Sequence, residues 1–237
     1  MELLRGGGPV VCVGHRGAAR LAAENSLEAI EAAAAHGADL VELDVVRARD
    51  GGLVLAHGPS VPGDAPSLDD GLALVACLGV GVQMDVKLAG LAQGVVESLR
   101  RHDLVDRGFV SSFSASILRA FRAAEPAFPR SLTYPEDRHG ISESRILGSA
   151  LRPTLAVLRA ALPSRLPRLL GAVGAAAATL NAAVASPRAI AACHRLGVAV
   201  YVWTVNDPEL AAALAENGAD GIITDDPRVI VRGTNPR

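Results

Sequence analysis

Apolar residues in this chain fall into short runs separated by longer stretches with a different rhythm. Val10 to Gly14, Leu40 to Val45, Val82 to Lys87, Phe109 to Ser112, Ser131 to Tyr134, Ala178 to Ala182, Val198 to Trp203 and Gly221 to Thr224 read as strands. Several of these are apolar along their whole length, the pattern of strands covered on both faces. Between them lie Ala- and Leu-rich segments of helical spacing, most of them closed by a glycine. Strand and helix in strict alternation predict βαβ units. About eight strands favour a closed (β/α)8 barrel of the TIM type over an open sheet. Leu53 to Ala56 adds a short extended segment after the second strand.

Helix starts keep the same phase. Asn25-Ser26-Leu27-Glu28 reads as a cap followed three residues later by a carboxylate, with Gly37 as the stop. Ser186-Pro187, Asp207-Pro208 and Asp226-Pro227 each set a capping side chain before a proline at the first helical position. Gly197 and Gly218 close two of these helices, and the Pro- and Arg-rich stretch from Glu136 to Arg168 has the weakest pattern. The 237 residues suit one barrel domain, taken as residues 9–232, with 1–8 and 233–237 as loose ends.

Composition narrows the functions. Half the residues are apolar and only 3% aromatic, so Ala, Val and Leu must fill the core. A net charge of −2 gives no general field to draw in nucleic acid or anionic lipid. Cys12, Cys77 and Cys193 are too scattered for a metal motif or a disulfide framework, which points to a reduced, cytoplasmic setting. The N-terminus lacks an apolar run of signal-peptide length. The uncharged stretch between Arg168 and Arg188 is Ala- and Gly-rich, interrupted by Asn181, and reads as helix and strand inside the domain rather than a transmembrane segment.

Chemistry-bearing residues gather at strand C-termini, where a barrel of this kind assembles its active site. His15-Arg16-Gly17 follows the first strand directly. Alternation puts Glu42 and Asp44 on one face of the second strand, with Val41, Leu43 and Val45 on the other. Two carboxylates side by side in a barrel interior repel each other and are costly to desolvate, and a divalent cation relieves both costs. Carboxylate oxygens suit Mg²⁺ or Ca²⁺. Asp85 and Lys87 share a face in the same way, Asp85 as a third ligand and Lys87 as an anion holder or counter-charge. His57 ends the run that starts at Asp50. Taken singly, each has an ordinary explanation as an ion pair or a hydrogen-bonded histidine. Together they cluster at one end of successive strands.

The ordered set His15-Arg16-Gly17, Glu24-Asn25-Ser26, Glu42 to Val45, Asp50 to His57, Asp85 to Lys87, Ser111 to Phe113, Trp203 to Asn206 and Gly221 to Pro227 resembles the glycerophosphodiester phosphodiesterase family. The resemblance implies a TIM-type barrel, one divalent metal ion (Mg²⁺ or Ca²⁺, with Mn²⁺ as a further option), and hydrolysis of small glycerophosphodiesters to glycerol 3-phosphate and an alcohol. By resemblance, Glu42, Asp44 and Asp85 hold the metal and His15 and His57 form the acid/base pair. Arg16 and Lys87 clamp the phosphate, Trp203 lines the pocket, and Glu24 supports the site. Which histidine is acid and which base stays open. Three positions depart from the family pattern: Ala23 for Pro, Gly58 for the Asp after His57, and Asp85 for Glu. Two alternatives remain: phospholipase D-type cleavage of lysophospholipids, with Ala160 to Val173 as the apolar surface, and a catalytically weak barrel with a binding role.

Overall fold

In the computed structural model, described over residues 2–58, 60–135 and 152–230, eight parallel strands close into a barrel. Their order of pairing is β1 (Val11–Gly14), β2 (Leu40–Arg47), β4 (Gly81–Val86), β5 (Gly108–Ser112), β6 (Arg130–Tyr134), β7 (Ala177–Asn181), β8 (Ala199–Trp203) and β9 (Gly221–Thr224). Pairing of β9 back onto β1 completes the ring. β3 (Leu53–Leu55) runs antiparallel to the far end of β2 and lies outside the ring. Seven helices cover the outside: α1 (Leu27–Ala35), α2 (Leu68–Leu78), α3 (Ala92–Arg101), α4 (Ala115–Ala124), α5 (Arg152–Gly171), α6 (Pro187–His194) and α7 (Pro208–Glu216), counted among the described residues. The eight expected barrel strands, and the extra segment after the second, are all present.

Side-chain alternation divides the core in two. Val41, Leu43, Val45, Met84 and Val86 join the large cluster between strands and helices. The opposite parity fills the barrel itself: Val13, Leu40, Phe109, Ala177, Ala199, Tyr201 and Ile223. Phe109 and Tyr201 lie with ring centroids 4.9 Å apart, and Leu3 packs into the same cluster. The segment before β1 is thus in contact with the barrel, and the Arg5 amide donates to Asp220 Oδ1 at 3.0 Å. Large apolar groups occupy the N-terminal part of the interior, so polar side chains of the same parity are left for its C-terminal mouth.

The cap of α1 differs from the sequence expectation. Ser26, not Asn25, is the N-cap, and its hydroxyl accepts from the Ala29 N–H at 3.1 Å. Asn25 is spent on Asp44 instead. Ser186 and Asp207 cap α6 and α7 with proline at the first position, as expected. Asp226-Pro227 opens only a three-residue 3₁₀ turn. In α5, Leu162, Leu166 and Leu170 recur every four residues and are buried, so this face is covered by the barrel. No helix among the described residues is long and apolar enough to cross a membrane. Part of the Pro- and Arg-rich stretch, 136–151, lies outside the described residues.

Candidate active site

Register makes the acidic cluster. Asp44 of β2 stands directly opposite Asp85 of β4, and Glu42 lies two residues earlier on the same face as Asp44. All three are buried, and their ligand atoms fall within 4.8 Å of one another. Asp85 therefore joins the cluster in spite of its shorter side chain. Ser111 lies across from Asp85 on β5 and donates to its Oδ1 at 2.8 Å. Gln83 Nε2 in turn donates to Ser111 Oγ at 3.0 Å, which fixes the direction of the serine proton.

The link from β1 to α1 brings the first motif over this cluster. Arg16 and Gly17 both have positive φ, 51° and 87°. A Cβ at Gly17 would sit 2.5–2.7 Å from Ala29, so only glycine allows the helix to approach. The fold of this link points the Arg16 N–H at Glu42 Oε2, 2.7 Å away, and the Asn25 N–H at the Arg16 carbonyl. The Arg16 side chain then reaches Glu24 Oε2 at 2.5 Å and lies 3.3 Å from Asp44 Oδ2.

Asp44 is the hub. Lys87 Nζ donates to its Oδ1 at 2.6 Å, while Asn25 Nδ2 and His57 Nδ1 both lie 3.1 Å from Oδ2. Lys87 also sits 3.4 Å from Asp85 and 2.8 Å from His57 Nδ1. Burial alone would raise the Asp44 carboxyl, but the His57 hydrogen bond and the Lys87 charge hold it well below the usual range. Glu42 has weaker compensation, from the His15 charge and the Arg16 N–H. Burial and the neighbouring Asp44 charge push it up to about 7. Burial likewise raises Asp85, against the pull of Lys87.

His15 stands at the end of β1 and bonds through Nδ1 to Asp225 Oδ1 at 2.7 Å. Burial lowers its pKa, yet the Asp225 hydrogen bond and the Glu42 charge outweigh that effect and raise it. Trp203 closes β8, donates Nε1–H to the Thr179 carbonyl at 3.3 Å, and meets Phe113 edge-on at 6.0 Å. A cleft of about 250 Å³ is lined by Asp44, Asp85 and Lys87 together with Val45, Val46, Ala56, Gly58 and Leu88. Gly58 has a φ of 85°, and a Cβ there would meet nothing within 4 Å. The carboxylate that His57 meets is that of Asp44.

The structure thus joins His15, Arg16, Glu24, Glu42, Asp44, His57, Asp85 and Lys87 in one network of contacts and charges, with Trp203 on the same rim. Four supporting residues escaped the sequence reading of the site: Asn25, Ser111, Asn206 and Asp225. Each stands inside a motif that had been singled out, so the signal was present, but its partner lies on a different strand.

A family model described as the glycerophosphoryl diester phosphodiesterase family matches residues 15–65 and 80–229. The chain belongs to that family. A glycerophosphodiester phosphodiesterase of Caldanaerobacter subterraneus subsp. tengcongensis is 24% identical, over 92% of this chain and 95% of its own length. A probable glycerophosphodiester phosphodiesterase 2 of Mycobacterium tuberculosis is 29% identical, over 95% and 90%. Among solved structures, an Oleispira antarctica phosphodiesterase in complex with the product sn-glycerol-3-phosphate aligns with a TM-score of 0.76 at 20% identity, covering 93% of this chain and 94% of that one. A putative glycerophosphoryl diester phosphodiesterase of Agrobacterium tumefaciens gives 0.78 at 18%, covering 94% and 96%. Family membership makes the chain a phosphodiesterase, and the structural likenesses match its barrel.

Proposed function

We propose that the mouth of this barrel hydrolyses small glycerophosphodiesters to glycerol 3-phosphate and an alcohol. The observation that carries this is the meeting of three buried carboxylates, two cationic side chains and two histidines at one strand end. The product named for the Oleispira relative supports the same substrate class.

A divalent cation fits the donor set. Three buried carboxylates face one another, and the raised Glu42 pKa marks negative charge that Lys87 and Arg16 do not fully offset. Oxygen-only ligands suit Mg²⁺ or Ca²⁺, and Mn²⁺ also tolerates them. When bound by Glu42, Asp44 and Asp85, such an ion supplies Lewis-acid stabilisation of a phosphoryl oxygen. Arg16 and Lys87 hold the anionic phosphate and offset the charge that grows on it. Glu24 fixes the Arg16 guanidinium. His15 and His57 move the protons, one from the nucleophile and one to the departing alkoxide. Asp225 carries a lowered pKa and accepts from His15 Nδ1–H, which favours the charged imidazolium and suits His15 to the acid role. Trp203 and Phe113 wall the mouth on the β5/β8 side.

The cleft of about 250 Å³ next to Lys87 opens onto Asp44 and Asp85. The face of α5 that a lysophospholipid reading requires is turned into the core. Residues 9–232 are read as one functional domain, with no nucleic acid among its partners.

Release of glycerol 3-phosphate from glycerophosphocholine and glycerophosphoethanolamine by metal-stripped protein tests this, with Mg²⁺, Ca²⁺ or Mn²⁺ added back singly. Activity restored by metal is expected. No turnover with any of the three would overturn the reading.

A further inference from the structure

Two motifs, Trp203 to Asn206 and Gly221 to Pro227, place no group against the substrate in the proposed chemistry beyond Trp203, yet their polar residues converge on His15. Asp225 Oδ1 receives the His15 Nδ1 contact at 2.7 Å, and Asp225 Oδ2 accepts from Asn206 Nδ2 at 2.5 Å. The Asn206 amide can stand only one way round. Its Oδ1 accepts from the Asp225 N–H at 2.9 Å and from the Thr224 hydroxyl at 3.0 Å, so its Nδ2 must face the carboxylate. Both Asp225 oxygens are thereby assigned, one to a histidine and one to the amide that aims it.

The backbone around the pair is fixed independently. The His15 N–H donates to the Thr224 carbonyl at 2.7 Å, and the Arg20 N–H to the Asp225 carbonyl at 3.0 Å. The β1–α1 link is therefore tied to the end of β9 without the help of either side chain. The carboxylate–imidazole contact is not needed to hold the loop, which leaves ring orientation as the work it does.

We propose that Asp225, held by Asn206 and Thr224, is the positioning residue for His15. It keeps the proton on Nδ1 and so leaves Nε2 as the nitrogen that exchanges protons with the substrate. An ionised carboxylate only accepts, so the ring nitrogen facing it must be the protonated one. An amide in its place presents an N–H to Nδ1 and drives the proton to Nε2. Where a carboxylate orients a catalytic histidine in this way, the Asp→Asn change costs about 10⁴ in kcat.

The inference rests on the reading that His15 carries a proton in the reaction, and the test separates the two. Wild type, Asp225→Asn, Asn206→Ala and His15→Ala are assayed on glycerophosphocholine with saturating metal. The neutral His15 ring, reached at alkaline pH, is followed by long-range ¹H–¹⁵N correlation, its signals assigned by their loss in His15→Ala. Asp225→Asn is expected to lower kcat by about 10²–10⁴, with KM nearly unchanged, and to move the ring proton from Nδ1 to Nε2. Asn206→Ala is expected to lose roughly 2–10-fold in kcat, as for one hydrogen bond, and it decides the matter if Asp225→Asn fails to fold. Wild-type kcat in Asp225→Asn, or a loss of kcat with the tautomer unchanged, would overturn the proposal. Normal turnover in His15→Ala would instead overturn the reading beneath it, while the tautomer shift would still report on Asp225.

Discussion

Glu42 and Asp44 have the same chemistry, neighbouring positions on one strand and opposite electrostatics. Asp44 is surrounded by Lys87, Arg16, His57 and Asn25, so its charge is compensated inside the protein. Glu42 receives one backbone N–H, and its carboxyl is pushed up to about 7 by burial and by Asp44. Neutral isosteres should therefore act in opposite directions on the metal-free fold. At pH 8, Glu42→Gln removes a charge the folded state resists and should stabilise the metal-free protein by roughly 1–3 kcal/mol. Asp44→Asn leaves Lys87 and Arg16 without their main partner and should destabilise it by about 3 kcal/mol. Both should weaken binding of Mg²⁺ or Ca²⁺ and abolish most activity. Urea denaturation in EDTA and calorimetric metal titration read the two effects separately. Equal destabilisation by both substitutions would show that the charge balance assigned to this site is wrong.

Elements were legible in the sequence because a parallel barrel repeats its pattern. A strand covered on both faces is expected to be apolar along its whole length, so Glu42 and Asp44, set between Val41, Leu43 and Val45, stand out against it. Caps written as Ser-Pro or Asp-Pro could be read locally for the same reason. Cross-strand partners could not. Asn25 looked like a cap because its local sequence permits one, and only the position of β2 reveals Asp44 as its partner. Asp225 and Asn206 became visible only when β8, β9 and β1 were brought side by side. Register also fixes some small residues. A Cβ on Gly221 of β9 would lie 2.2 Å from the Tyr201 ring, which is itself buried against Phe109. Neither ring has room to retreat in a close-packed interior. Gly221→Ala is thus expected to cost about 3 kcal/mol through overpacking, a loss visible in a thermal melt. A melt unchanged within a degree would mean that the barrel interior is looser than these contacts imply.

On the scale of the whole molecule, the mouth makes barrel stability depend on pH and metal together. Glu42, Asp85 and His15 all have raised pKa values in the folded protein. A raised group contributes stability that is complete below its unfolded value and is lost as pH rises through its folded one. For Glu42 the window runs from about 4.5, the ordinary carboxyl value, to about 7. Asp44 has the opposite sign, since its depressed pKa contributes above 3.8 and is lost only in acid. On these groups the metal-free barrel should lose stability between pH 5 and pH 8. A divalent ion binds the ionised carboxylates and so competes with the proton on Glu42. Its stabilising effect should therefore grow over the same interval. At a hundred times its Kd a ligand adds about 2.7 kcal/mol, and for a chain of this size that corresponds to roughly 5–10 °C in Tm. Melting in EDTA and in excess Mg²⁺ or Ca²⁺, at pH 5.5 and at pH 8, gives four values. The two metal-bound melts should lie closer together than the two metal-free ones, because the ion replaces the proton that alkaline pH removes. A metal increment equal at both pH values would mean that Glu42 is not among the ligands, and the centre would then have to be sought around Asp44 and Asp85 alone.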